Sequence, residues 1–278
     1  MTARIAKADF TPIPPLGALP RLLAIAGCAL LVLPQLIVII TSIDPDPAAI
    51  FPPHAISFTW YMNAFTRPAF REALLMSVAV GATTALISTT IGTMAAVFVV
   101  RNRFPGRGIL IASLQLPVLI PEVMLGLGFL LLFSRAQMRW SLLNIGLAHV
   151  VITLPYVVRV VMANLQTVGI SLEEAARVLG AGPVTSFLRV TLPVIRSGVV
   201  SALIFSFIVS FDNFTVTTFL VTGRGTLPIE IYGYIRTESD PTIAAISTML
   251  IVVSIIGILA IERIVGIEAV SRTGRAQG

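Results

Sequence analysis

Charge is what this sequence has least of. Asp, Glu, Lys and Arg together make up 12% of its 278 residues, against about a quarter in an ordinary soluble domain. Lysine is nearly absent: Lys7, close to the N-terminus, stands alone. A glycine-rich phosphate loop needs its lysine, so P-loop ATP hydrolysis by this chain is excluded. Cysteine occurs once, as Cys28 inside an apolar run; an intrachain disulfide is impossible, and the redox compartment is left open. His54 and His149 are far apart, and no Cys, His and acid cluster has ligand spacing, so no metal site is expected. No nucleophile stands beside a recognisable base. Catalytic residues, and with them an enzyme, are not expected, nor is a cofactor of the chain's own.

Apolar residues fill the space that charge leaves. They make up 56% of the chain, the mean hydropathy is +0.95, and a polytopic all-α membrane protein follows. The net charge of +6 is scattered over short loops rather than clustered, which argues against nucleic acid as a partner and for the lipid bilayer. A membrane helix needs roughly 20 apolar residues to cross about 30 Å of hydrocarbon. Six stretches qualify: Leu22–Ser42, Ala73–Val100, Gly108–Phe133, Leu142–Met162, Val194–Val221 and Thr242–Ile261. The first follows Arg4, Lys7 and Arg21, as a signal peptide would. Its apolar core is too long, however, and Asp44-Pro45-Asp46-Pro47 follows instead of a small-residue cleavage site, so it reads as a retained anchor. The expected organisation is a tail over 1–20, with a Pro-rich stretch from Thr11 to Pro20, a six-helix unit over 21–265 and a second tail over 266–278.

Basic residues orient the chain. Assigning loops alternately to the two sides leaves 13 Lys and Arg on the side of both termini and 6 on the other. By the positive-inside rule both termini are cytoplasmic, and so is the polar interruption from Ser171 to Pro193.

That interruption, SLEEAARVLGAGPVTSFLRVTLP, is the most informative stretch of the chain. Ser171 with Glu174 fits a capping box, and Leu172, Ala175, Ala176 and Leu179 form an apolar stripe at helical spacing. Gly180 is a helix stop, Gly182-Pro183 a turn, and Val184 to Arg189 a second short helix leading to Pro193. A cytoplasmic helical hairpin is predicted.

Within the spans, Gly81, Ala85, Ser88 and Gly92 give the second a small-residue face suited to close helix packing. Pro117 and Pro121 predict a bend in the third. Glu122 and Asp212 are the acids placed deep in apolar spans, each costly there and so a functional candidate. The fifth span also carries Ser206, Ser210, Asn213 and Thr217 on one face, suited to line a wet path. Asp212 projects about 120° from that stripe in a regular helix. Either the stripe or Asp212 faces the path, unless the helix is locally unwound. Asp212 has a structural alternative, a tie to a neighbouring hydroxyl or backbone group; for Glu122 the alternative is to satisfy backbone groups freed at the Pro121 break. His149 reads as a hydrogen-bonded packing residue. On the other side, Phe58, Trp60, Tyr61 and Phe65 suggest a short interfacial helix, which anchors the chain or serves a partner as a docking surface.

Glu174-Ala175-Ala176, Gly180 and Val190-x-Leu192-Pro193 resemble the EAA loop of ABC-importer permeases at full spacing, with Val190 where isoleucine is usual. The resemblance extends to Phe58-Thr59-Trp60-Tyr61, Leu116-Pro117 through Ile120-Pro121-Glu122-Val123, Leu154-Pro155-Tyr156-Val157 and Ser210-Phe211-Asp212-Asn213-Phe214. These look like the spermidine/putrescine branch, over roughly residues 20 to 265. Members of that branch often read Asp-Asp where this chain has Asp212-Asn213. The resemblance implies a MetI-like six-helix fold in a bacterial inner membrane. It also implies that the hairpin couples to an ABC ATPase dimer carrying ATP and Mg, through Glu173, Glu174, Ala175, Ala176 and Gly180. A second, paralogous permease and an extracytoplasmic solute-binding protein would complete the importer. The solute would be small, organic and polyamine-like, with Asp212, Asn213, Ser210, Ser206, Thr217 and Glu122 as path candidates. The competing class is a self-contained secondary transporter that uses Glu122 or Asp212 as a proton or cation site; a membrane-embedded enzyme ranks behind it for want of a catalytic cluster.

Overall fold

The computed structural model describes residues 18–47, 55–139, 141–256 and 259, and no strand occurs among them. Residues 1–17 of the first expected tail, the second tail, His54 and the far end of the sixth span, from 257 on save 259, lie outside the described residues, while 18–20, expected in the tail, already belong to the first helix. In chain order the helices are α1 (Ala18–Ser42), α2 (Thr59–Thr66), α3 (Pro68–Arg101), α4 (Arg107–Leu119), α5 (Glu122–Arg135) and α6 (Ser141–Thr167). They continue as α7 (Ser171–Val178), α8 (Pro183–Ser186), a π-helical turn (Phe187–Thr191), α9 (Leu192–Phe211), α10 (Thr215–Leu220) and α11 (Leu227–Thr237). An apolar helix over Thr242–Ile256, here α12, follows.

Four helical stretches are long and apolar enough to cross a membrane: α1, α3, α6 and the continuous run Pro183–Phe211. Two of the six expected spans therefore need correction. The third is not one bent helix but two, α4 and α5, set at 102° to each other. Pro121 has no N–H to continue the ladder and pushes the residue before it out of the helical region; Ile120 is indeed extended, at φ −91° and ψ 130°. Pro117 sits inside α4 without ending it. The fifth span stops at Phe211, ten residues short of the expected Val221, and the chain resumes as α10 after a break at Asp212–Phe214. The sixth is helical from Thr242 to Ile256 within the described residues.

The centre of the bundle is α3, α6 and α9. Small residues on α3 make that packing possible, as their spacing predicts. Gly81 lies against the Phe207 ring, and Gly92 against Val157, so close that a Cβ there would stand 2.5 Å from Val157 Cγ1. Between these contacts Ser88 Oγ and Ser206 Oγ share a buried hydrogen bond of 2.6 Å. Around Gly92, Ala96, Val157, Val161, Leu165, Ile195 and Ala202 close an apolar core toward one end. At the other end Ala64, Phe70, Ala73, Leu227, Tyr234 and Ile246 join α2, α3, α11 and α12. Glycine is also required on the α9 side of this packing, where Gly198 faces the Asn164 amide and a Cβ would come within 2.4 Å of it.

The short helix expected around Trp60 and Tyr61 is present as α2. Trp60 Nε1 donates to the Asp44 carbonyl at 2.6 Å, and Tyr61 Oη pairs with Ser42 Oγ at 2.7 Å, so α2 is tied to the end of α1. Phe58 and Phe65 stay exposed. At the same end, Tyr234 Oη donates to Asp240 Oδ2 at 2.7 Å, and the Arg67 guanidinium lies 4.6 Å from the Tyr234 ring centre. Burial pushes the Asp240 carboxyl up, but hydrogen bonds from Thr242 and Tyr234 and the nearby Arg67 outweigh it and hold the group below its usual range.

Candidate functional site

Two places gather the residues that the sequence singles out, one at each side of the α9 helix.

The first is the hairpin. α7 ends as its sequence directs: Gly180 takes the left-handed conformation at φ 87°. Its N–H bonds to Arg177 O at 2.9 Å and that of Ala181 to Ala176 O at 3.0 Å. This is the paired pattern of a Schellman cap. The start of α7 departs from expectation. The N–H groups of Glu173 and Glu174 both donate to Ile170 O at 3.0 Å, because Ile170 is already helical, at φ −66° and ψ −21°. No side-chain cap forms there, so the Ser171–Glu174 capping box is absent. The second helix also differs from the expected Val184–Arg189. α8 is a single turn that passes through the π-helical turn straight into α9, without a stop at Pro193.

The two neighbouring acids of α7 part company. Glu173 is buried, and its Oε1 accepts from Arg101 Nε at 2.9 Å and from Thr191 Oγ1 at 2.8 Å. Glu174 is exposed, as are Ala175 and Gly180, while Ala176 is half-buried. The apolar stripe is uncovered within the chain: Leu172 is half exposed, and Val178 and Leu179 are each 88% exposed, beside exposed Val184. Residues this apolar at the tip of a polar hairpin make an adhesive face. Arg101 and Thr191 carry no signal in the sequence that would pair them with Glu173, from which they stand 72 and 18 residues away.

The second place is where two helices break side by side. Asn213 occupies the gap between α9 and α10 and works in two directions. Its Oδ1 accepts from the N–H groups of Val216 at 3.0 Å and Thr217 at 3.4 Å, capping the freed end of α10. Its Nδ2 donates to Glu122 Oε2 at 3.3 Å, at the N-terminus of α5. Glu122 thus meets another side chain instead of the backbone groups of its own break, and α5 is held on α10 by the close approach of Gly126 to Phe219.

The Asp212 N–H closes α9 on Ile208 O at 3.1 Å, but its carboxylate has no hydrogen-bond or ion-pair partner among the described residues. It lies in the wall of a cavity of about 650 Å³ between α3, α9 and α12, with Phe65, Phe70, Arg71, Phe207 and Phe211 among the lining side chains. It also borders a neighbouring hollow of about 440 Å³ beside Phe214 and Tyr232. The expected tie to a hydroxyl or backbone group is not made.

The polar stripe of the fifth span turns inward, into the packing of the chain. Ser206, Ser210, Asn213 and Thr217 are all buried. Ser210 Oγ lies 2.8 Å from His149 Nδ1, and Thr217 Oγ1 lies 3.0 Å from His149 Nε2, so the imidazole bridges both sides of the α9–α10 break. His149 is a buried packing residue that satisfies hydroxyls, as its place in the fourth span suggests. No group of His, Cys, Asp and Glu among the described residues has the arrangement of a metal site.

With this geometry in view, comparison with known proteins is direct. Residues 88–267 match the family model described as binding-protein-dependent transport system inner membrane component. The putrescine transport system permease protein PotI of Escherichia coli (strain K12) is 34% identical over 214 residues, which are 73% of this chain and 76% of that protein. The spermidine/putrescine transport system permease protein PotC of Haemophilus influenzae is 30% identical over 201 residues, 72% of this chain and 78% of its own. Among solved structures, a bacterial ABC transporter involved in the import of the acidic polysaccharide alginate has a chain of like fold. It superposes with a TM-score of 0.68 at 18% identity, over 90% of this chain and 99% of that one.

Proposed function

We propose, from the premise that this chain belongs to the family of binding-protein-dependent transport system inner membrane components, that it carries a small organic cation of the polyamine kind. The chain is a multi-pass permease subunit of an ABC importer, not an enzyme. That membership favours the importer over a self-contained secondary transporter.

The observation that carries the substrate class is Asp212. A carboxylate without a partner, in the wall of a cavity lined by aromatic rings, suits a cation with an apolar body: the acid takes the charge, and the rings take the methylenes and add cation–π attraction. The relatives named for putrescine and spermidine transport support the same class. Glu122, held by Asn213 across the adjoining break, supplies a second acid nearby in the fold, where the related branch often places it at the position of Asn213. Broken helices at membrane depth are where transporters build such sites, since the freed backbone ends and carboxylates face a cavity rather than lipid. Ser206, Ser210 and Thr217 support the path from behind, through Ser88 and His149.

The hairpin is the coupling element. Its exposed Leu172, Val178, Leu179 and Val184, with Glu174, Ala175 and Gly180, form the face offered to an ABC ATPase dimer, on which ATP and Mg are bound and hydrolysed. In this arrangement the hairpin and both termini are cytoplasmic, in keeping with the bias of basic residues. The unit over 21–265, flanked by tails over 1–20 and 266–278, pairs with a second, paralogous permease in a bacterial inner membrane and receives solute from an extracytoplasmic binding protein. ATP binding draws the hairpins of the two permeases together and rocks the spans; hydrolysis resets them.

The test is uptake of labelled putrescine and spermidine by cells that express the complete importer. Asp212→Asn is expected to lower uptake by about 100-fold, the order of losing a charged contact to the bound cation, with the variant still in the membrane. Unchanged uptake in Asp212→Asn removes the acid from the path, and an importer that moves neither amine removes the substrate class.

A further inference from the structure

α7 has little apolar packing of its own. Leu172, Val178 and Leu179 are at least half exposed, and the chain on either side is short: 168–170 on the side of α6 and 179–182 on the side of α8. What fixes α7 is polar and converges on Glu173. Glu173 Oε1 is 2.9 Å from Nη2 and 2.9 Å from Nε of Arg101, the last residue of α3. The same guanidinium reaches the Val168 carbonyl through Nη1 and Nη2, each at 3.4 Å, so it also holds the connection between α6 and α7. Thr191 Oγ1 donates to the same carboxylate oxygen at 2.8 Å. Thr191 closes the π-helical turn that leads into α9, and π turns inside α-helices recur at functional positions. Glu173 and Arg101 keep side-chain exposures of 10% and 14%, so solvent competes poorly for them.

We propose that Arg101, Glu173 and Thr191 form a latch that makes the hairpin and the adjoining ends of α3 and α9 move as one body. A displacement imposed on α7 from outside the chain then reaches the spans instead of being absorbed by bending at 168–170 and 179–182. This rests on the reading of the hairpin as the ATPase-docking element. It also divides the two acids of the EAA stretch: Glu174 faces outward to a partner, and Glu173 faces inward to the spans. Glu173 is a positioning residue that touches neither solute nor nucleotide. The planar fork of Arg101 matters as well as its charge, because one guanidinium serves both a carboxylate and a carbonyl.

The experiment uses the importer complex purified in detergent with its ATPase, in a Cys28→Ser background. Nitroxides are placed at Asn102→Cys and Ser171→Cys, exposed positions beside Arg101 and at the start of α7. Their separation is measured by pulsed electron resonance without nucleotide and with a non-hydrolysable ATP analogue. With the latch intact the separation is expected to change by less than about 2 Å, the scale of ordinary helix adjustment, and to keep a narrow distribution. In Thr191→Val and in Glu173→Gln, the analogue should shift it by more than that or broaden it, while Thr191→Ser restores the narrow one. Thr191→Val is the mildest change, so it decides the matter if Glu173→Gln fails to insert. A separation that shifts as far in the intact chain as in the variants overturns the latch, and so does one that stays narrow in every variant. Failure of the ATPase to purify with the intact chain overturns the docking reading instead, and loss of the ATPase in Thr191→Val makes Glu173 and Thr191 part of the docking face, against the latch.

Discussion

Asn213 and Glu122 meet across two broken helices, with Nδ2 3.3 Å from Oε2, while the other end of the same amide caps α10. An amide is the side chain this position needs. A carboxylate there could cap α10 equally well, but it could donate nothing to Glu122.

Asn213→Asp should therefore set two carboxylates against each other and destabilise the purified subunit by about 1 kcal/mol, the order of one lost hydrogen bond at a part-buried contact. Thermal unfolding in detergent reads this as a lower midpoint. Pairing the change with Glu122→Gln supplies a donor from the opposite side and should recover most of the loss. If Asn213→Asp alone melts like the parent, the contact contributes nothing.

Gly92→Ala should cost about 1–3 kcal/mol by overpacking the contact of α3 with α6, since the new methyl would stand 2.5 Å from Val157 Cγ1 and 2.9 Å from Val157 Cβ. Val157 is fully buried and has nowhere to retreat. Val157→Ala in the same chain removes the obstructing atom, so the double variant should be more stable than the sum of the two single changes allows. Simple additivity would mean that the two helices separate freely.

Gln137 is the non-glycine residue with positive φ, at 52°, among the described residues. It occupies the place in the cap of α5 that Gly180 occupies in α7. Met138 N bonds to Phe133 O at 2.9 Å and Gln137 N to Ser134 O at 3.0 Å. Gln137→Gly should relieve about 1 kcal/mol of left-handed strain, offset in part by the freer unfolded chain. A raised melting midpoint is the expected sign, and a lowered one would show that the Gln137 side chain holds the turn.

The sequence spoke clearly where one local rule governed the outcome. A polar stretch between apolar runs marked the hairpin, Gly180 marked the end of α7, and Pro121 marked the break after α4. Gly81, Ala85, Ser88 and Gly92 marked the face of α3 on which α6 and α9 pack. It was silent where partners are far apart in the chain. The gap at Asp212–Phe214 contains neither proline nor glycine. It is held open by the Asn213 cap and by His149 from another helix, so no local pattern announces it. The inward turn of the Ser206–Thr217 stripe has the same origin, since its hydroxyls are satisfied by α3 and α6. Glu173 and Glu174 look alike in the sequence, and it is Arg101 and Thr191, 72 and 18 residues away, that separate them.

Because α8 runs without a stop through the π turn into α9, Pro183–Phe211 is a single rod of 29 residues. At about 1.5 Å per residue it spans roughly 43 Å. Its two ends are mechanically opposite: Val184, on the exposed apolar tip, and Phe211, beside Asp212 in the cavity wall. Pivoted near its middle, where Gly198 is pressed against Asn164, such a rod converts a push at one end into a swing of opposite sense at the other. A tilt of about 10° carries each end by about 4 Å over half that length, wide enough to open or shut the wall around a bound solute. With the hairpin as the docking element and Asp212 as the carboxylate for the solute, both as proposed, this rod is a first-order lever: the effort is applied at the hairpin, the fulcrum lies where Gly198 meets Asn164, and the load is the Asp212 carboxylate.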